Sequence, residues 1–204
     1  MCLAALASCG NRAPKSELQK KVDAYAVFQI GSPYMEGISD NGKEVLNLFR
    51  KAADEADNIF WQQTFGDKNA IMSLPDGAAK DLALINYGPW DRMDNNAPFI
   101  EGYGERPAGA NFYPADMTKE EFDALEDPAK FSPYTIIRRG EDGKLKVVWY
   151  HEAYKESIDK ICGYLESAAT MTIKESVRNY LLKRVEALRT DSYKESDYAW
   201  MDMK

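Results

Sequence analysis

The stretch INYGPWDRMDNNAPFIEGYGERPAGANFYPADM, residues 85–117, decides how the rest of the chain is read. Tyr87, Trp90, Phe99, Tyr103, Phe112 and Tyr113 alternate with Pro89, Pro98, Pro107 and Pro114 and with Gly88, Gly102, Gly104 and Gly109. Proline removes backbone donors and fixes φ, and proline and glycine together punctuate turns, so the stretch is not a long helix. Its aromatic load is equally wrong for a solvated linker. What fits is a long loop that is buried or faces a ligand, held on a scaffold supplied by the flanking sequence.

That scaffold is read outward from the loop. Upstream, Ser16 followed by Gln19 has the form of a capping box, and Leu18, Val22, Tyr25 and Gln29 recur at helical spacing, which predicts a helix over about 17–30 ended by Gly31-Ser32-Pro33. Val45, Phe49, Ala52, Ala56, Ile59 and Phe60 keep one face apolar while Arg50, Asp54 and Asp57 keep the other wet, so a second helix is expected over about 41–64. Pro75 is placed in the first turn of a shorter helix reaching about Ile85.

Downstream, Thr118 with Glu121 forms a capping box for a short helix carrying Phe122 and Leu125. Residues 134–138 and 145–150 are β-branched or aromatic runs around Arg139-Gly140-Glu141-Asp142-Gly143-Lys144, the pattern of a β-hairpin. Two helices follow, over about 151–169 with Tyr154, Ile158, Ile161 and Leu165 on one face, and over about 173–190 with Thr172 as N-cap and Glu175 completing its box. The fold class is α+β, predominantly α-helical, with about five to six helices and one β-hairpin near 134–150. A hairpin alone is marginal in water, so it must pack on the helices or pair with other strands.

The 204 residues, 45% apolar and 29% charged, are those of a globular chain with a real core. A net charge of −7 argues against nucleic acid as a partner, since phosphate binding requires clustered Lys and Arg. The densest basic cluster, Arg138-Arg139, sits beside Glu141 and Asp142 and reads as a solvated turn. The three cysteines, Cys2, Cys9 and Cys162, imply no disulfide framework, and Cys162 reads as a small core residue.

The opening MCLAALASCG reads as the tail of a secretion signal, with Leu6-Ala7-Ser8-Cys9 resembling a bacterial lipoprotein box in which Cys9 is lipidated. It lacks a basic n-region and its apolar run is short, so either the natural start lies upstream or this is a chance apolar N-terminus. On the first reading residues 1–15 are a truncated lipoprotein-type signal and tether, and the protein is exported, periplasmic or held on a membrane by a lipid anchor. No later segment approaches the ~20 apolar residues needed to span a bilayer.

Several wordings together resemble a known family: Ile85 to Arg92, Pro107 to Met117, Ile137-Arg138-Arg139, Tyr150-His151-Glu152 and the ending Ala199-Trp200-Met201-Asp202-Met203-Lys204. They look like the N-terminal region of bacterial zinc-dependent hydrolases related to dipeptidyl peptidase III, and the peptidase-like half of certain plant nudix hydrolases is similar. The likeness runs from about Ala56 to Lys204. It implies zinc in the full-length parent, a peptide substrate, and a C-terminal catalytic part as the partner of residues 16–204, read as a mostly helical N-terminal lobe, incomplete at its C-terminus. The family's own chemistry uses a helical HExxH or HExxxH motif with a further glutamate, and neither motif occurs in this chain.

The residues offer no substitute for that motif. His151 is the single histidine, and His151-Glu152 mimics the start of HExxH, but the position four residues on is Lys155, a cation that opposes a metal. His151 is expected instead at a helix start with its ring against the hairpin. Asp91, Asp94 and Glu101 carry little specificity as acid or base and read as solvated or capping positions, and no nucleophile has a recognisable context. Catalytic and metal-ligating residues are therefore assigned to none of this chain.

The aromatic loop keeps two readings. In one, Trp90, Asp91, Arg92, Asn111 and Tyr113 line a wall of a substrate cleft, Arg92 gripping a peptide carboxylate by bidentate hydrogen bonds. In the other, the same residues form an interdomain plug. For the chain as a whole, the resemblance implies a non-catalytic portion of an exported zinc-dependent metallopeptidase-like hydrolase that shapes the cleft or braces the zinc lobe. The alternative is a self-sufficient, lipid-anchored periplasmic binding or interaction module without enzymatic activity.

Overall fold

The computed structural model describes residues 14–28, 31 and 36–203. Three long helices form its frame: α2 (Asp40–Thr64), α7 (Lys155–Met171) and α8 (Glu175–Thr190). On α7, Ile158, Ile161, Cys162, Leu165, Ala168 and Ala169 recur at three- and four-residue spacing. They bury against Leu48 and Ala52 of α2 and Leu181 and Val185 of α8. Each large aliphatic side chain removed from water there contributes about 1.5–3 kcal/mol. Cys162 is fully buried, its thiol 3.9 Å from the Val185 carbonyl.

The β-hairpin packs onto this frame. β3 (Thr135–Arg139) and β4 (Leu145–Trp149) pair antiparallel, with Ile136 opposite Val148 and Arg138 opposite Lys146. Because side chains alternate, Ile136, Arg138, Lys146 and Val148 share one face. Ile136 and Val148 of that face belong to the helical core.

A second core binds the first half of the chain. Trp61 of α2, Ile71 of α3 (Lys68–Met72) and Ala83 of α4 (Ala78–Asn86) are buried together, with Phe65, Tyr87, Phe99 and Ile100 packed around them. The aromatic loop thus lies against the C-terminal half of α2. α1 (Glu17–Asp23) joins this side through Lys21, whose ammonium lies 2.7 Å from Asp91 and 2.8 Å from Asp94.

The fold is α+β and predominantly helical, as the sequence implied, but the described residues hold nine α-helices rather than five or six. The difference comes from short elements. α3 is capped by the Asp67 side chain, which accepts from the Ala70 amide at 3.0 Å. α6 (Tyr150–Ala153) is separated from α7 by Tyr154, whose φ of −116° interrupts what periodicity presents as one helix. α9 (Lys194–Met201) occupies the end of the chain. α5 (Lys119–Ala124) carries both halves of the expected capping box.

Other boundaries also differ. α1 ends at Asp23, well short of residue 30. Pro75 precedes α4 instead of starting it, because Gly77 at φ 146° supplies the turn into the helix. Thr172 closes α7 rather than capping α8, whose N-cap is Lys174 without a side-chain bond. Arg178 reaches back to the Ala169 and Thr172 carbonyls at 3.1 and 3.0 Å, satisfying acceptors that the end of α7 leaves open. A second strand pair, β1 (Trp90–Asp91) with β2 (Ala97–Pro98), arises inside the loop around Asn95 and Asn96, both left-handed. Asparagine tolerates that conformation because its side chain bonds locally.

Candidate functional site

Asn111 joins three parts of the fold. Its side-chain amide donates to the Gln62 carbonyl at 2.6 Å and its backbone amide to the Gln63 carbonyl at 3.0 Å, filling acceptors that the last turn of α2 cannot pair internally. Its own carbonyl accepts from Arg138 Nη2 at 2.9 Å. The next residue, Phe112, takes the Ile137 amide of β3 on its carbonyl at 2.9 Å. The loop therefore pairs along the edge of the hairpin and caps α2 at once.

These connections surround two recesses. The first, of ≈ 250 Å³, is lined by Phe65, Trp90, Asn111, Tyr113, Arg138 and Arg139, among others. Trp90 is fixed by its indole N–H to the Gly104 carbonyl at 2.9 Å and by edge-to-face packing on Phe65, with ring centroids 5.6 Å apart. The second, of ≈ 540 Å³, opens beside it between the hairpin face, the end of α2 and Tyr154, and shares Asn111 and both arginines with the first.

Of the five loop residues singled out in the sequence, Trp90, Asn111 and Tyr113 meet at the first recess. Asp91 and Arg92 do not. The Asp91 side chain is buried, bonded to Lys21 and to the Met93 amide, so it is a structural anion rather than a solvated one. Arg92 lies over the Tyr87 ring, 5.7 Å from its centroid, and donates to the Ile85 carbonyl at 3.3 Å. The arginine at the recess is Arg138.

Arg138 and Arg139 are strand residues, not a solvated turn. Arg139 is engaged by Asp116 at 2.9 Å and Glu121 at 3.0 Å, and Arg139 in turn holds the Glu121 carboxyl below the usual carboxylate range. Arg138 has no carboxylate partner among the described residues; it donates only to the carbonyls of Ile137, Phe112 and Asn111. Burial lowers its pKa, since a guanidinium loses hydration there without a counter-charge to replace it.

Tyr154 forms the floor of the second recess. Its side chain is buried, with Gln63 beside the hydroxyl but no well-formed hydrogen bond between them. Burial pushes this hydroxyl up to about 12 from an ordinary 10.0. The unfolded chain thus releases the proton first as pH rises, so stability is complete below pH 10 and declines towards pH 12. Alkaline denaturation followed by circular dichroism should show a loss of about 2–3 kcal/mol from this residue over that window. Tyr154→Phe removes that part of the decline, and an identical decline in the variant would assign it elsewhere.

The histidine lines neither recess. His151 Nδ1 lies 2.7 Å from Asp191 Oδ2, and the His151 amide donates to the same oxygen at 3.2 Å. Asp191 has no exposed side-chain surface, so it orients the ring from within the fold. Glu152 Oε1 lies 3.8 Å from His151 Nε2, on the other side of the ring from Asp191, and among the described residues no group of three or more His, Cys, Asp or Glu is disposed to hold a metal. The donors present do not fit a catalytic zinc ion, which requires three protein ligands and an open position. Cys9 and the leader-like segment lie outside the described residues. No helix among the described residues is long and apolar enough to cross a membrane.

No family model matches the sequence. The chain is 24% identical to Nudix hydrolase 3 of Arabidopsis thaliana over 91% of its length, covering 32% of that protein. Its fold matches the structure of dipeptidyl peptidase III from Caldithrix abyssi with a TM-score of 0.84 and 34% identity, and that of dipeptidyl-peptidase III from Corallococcus sp. strain EGB with 0.83 and 26%. These matches cover 91% and 92% of this chain but 37% of each solved one. The chain therefore spans about a third of the length of the proteins it resembles, and over almost all of its own length it has the fold of part of a dipeptidyl peptidase III.

Proposed function

We propose that this chain is the non-catalytic N-terminal portion of an exported, zinc-dependent metallopeptidase-like hydrolase, in which it shapes the substrate cleft or braces the zinc-bearing lobe. The observation that carries the reading is the pairing of near-complete coverage of this chain with coverage of little more than a third of each dipeptidyl peptidase III. A further support is α9, where Tyr198, Trp200 and Met201 are exposed while Ser196 and Ala199 are buried. Large apolar side chains left in water around one helix suit an element that packs against a further lobe. Trp90, Asn111 and Tyr113 would then form part of the wall facing a peptide substrate.

In this reading zinc belongs to the C-terminal catalytic part of the same protein, residues 16–204 form the N-terminal lobe, and Cys9 carries the lipid anchor that follows export. The chain itself is silent: with Zn²⁺ added it should release no dipeptide from an unstructured peptide, and reproducible turnover would sink the assignment. The decisive test is to sequence the source DNA on both sides of the reading frame. An in-frame continuation encoding HExxH or HExxxH, preceded upstream by a basic signal start, is expected. A stop codon directly after Lys204 with no such sequence beyond it would favour the self-sufficient binding module.

A further inference from the structure

The second recess is lined by cations without an acid among them. Arg138, Lys146 and Arg139 contribute to its lining and no aspartate or glutamate does, although the chain carries a net charge of −7. Arg139 is neutralised by Asp116 and Glu121, which leaves Arg138 and its cross-strand neighbour Lys146 as the charges facing the space.

The hydrogen-bond pattern of Arg138 defines what it can still bind. A guanidinium has five N–H donors. Nη1 donates to Ile137 and Phe112, and Nη2 donates once, to Asn111. The Nε–H and the second Nη2–H have no partner among the described residues. These two lie along one edge of the planar group and form a parallel fork that matches the two oxygens of a carboxylate. The carbonyls of Phe112 and Asn111 hold the group in place, so little side-chain freedom remains to be lost on binding.

One more feature selects the ligand: Ile136, Val148, Ala153 and Tyr154 line the same space with largely apolar surface, the Tyr154 hydroxyl being buried. We infer that the recess between the hairpin face and Tyr154 binds a carboxylate carried on a short aliphatic chain, with Arg138 making the bidentate contact and Lys146 adding charge.

The inference does not depend on the hydrolase reading, because it concerns binding by this chain with no bond broken. Thermal unfolding and calorimetry with glutarate as the probe, at ionic strength held constant with sodium chloride, test it directly. A saturable rise in melting temperature is expected for the wild type, since a ligand of the folded state alone stabilises it. Lys146→Ala, a change at an exposed position, should weaken binding, and Arg138→Lys should weaken it about tenfold or more by removing the fork. The inference is overturned by the absence of a saturable shift, by equal shifts in wild type and Lys146→Ala, or by a response to phosphate with none to glutarate.

Discussion

Trp61→Ala is expected to reduce the free energy of unfolding by about 3–5 kcal/mol, the largest loss from any single substitution considered for this protein. The indole is 3% exposed and packs between Ile71, Ala83 and the ring of Tyr87, 4.9 Å away between centroids. Removing it costs both transfer free energy and the contacts around the cavity left behind, since Tyr87 is tied to Asp57 by a 2.6 Å hydrogen bond and cannot follow. Domains of this size are stable by about 5–15 kcal/mol, so the loss is a large share of the whole. Because α7 and α8 bury a separate cluster, hydrogen exchange should accelerate most in α3, α4 and the aromatic loop. Equal acceleration across α7 and α8 would show that the two clusters unfold as one.

Asp191→Ala should cost about 2–4 kcal/mol, from two sources that can be separated. The carboxylate accepts from both the amide and the ring of His151, tying the end of α8 to α6. It also sits at φ 54°, a left-handed conformation that aspartate and asparagine tolerate better than alanine. Asp191 Oδ1 is buried without a partner among the described residues, so part of the carboxylate's desolvation is uncompensated and offsets the loss. Asp191→Asn keeps the backbone preference and one acceptor while removing the charge. It should retain most of the stability in urea denaturation, and a loss as large as that of alanine would place the whole effect in the charge.

The parts of the fold that were readable are those with a local period. α2, α7 and α8 declare themselves through apolar residues three and four apart, α5 through Thr118 and Glu121, and the hairpin through β-branched runs around Gly140 and Gly143. The interruption at Tyr154 has no such signal, because Tyr150, Ile158 and Ile161 keep the same spacing on either side of it. Capping residues were ambiguous where two helices nearly touch: Thr172 has the chemistry to open α8, yet α7 runs on to Met171 and claims it. The wording of the chain also pointed to dipeptidyl peptidase III, a likeness the fold shares.

The recesses were readable only in fragments. Aromatic and proline density marked the loop, and Trp90, Asn111 and Tyr113 do meet, but Arg92 and Asp91 are drawn off by Tyr87 and Lys21. Arg138 looked like a turn residue beside two acids. Alternation along β3 was the available clue, since it places Arg138 on the face of Ile136 and opposite Lys146.

Composition, periodicity and capping chemistry thus mark the long helices, the hairpin and the amphipathic faces, because each is written in residues a few positions apart. Which charge meets which partner is settled only in three dimensions. Lys21 reaches Asp91, Arg138 reaches Asn111, and His151 reaches Asp191, across 70, 27 and 40 residues of chain. An arginine has the same local sequence whether water, a carboxylate or a row of carbonyls surrounds it. Its role is decided by how burial removes the water and which groups the packing of distant elements leaves to take its place.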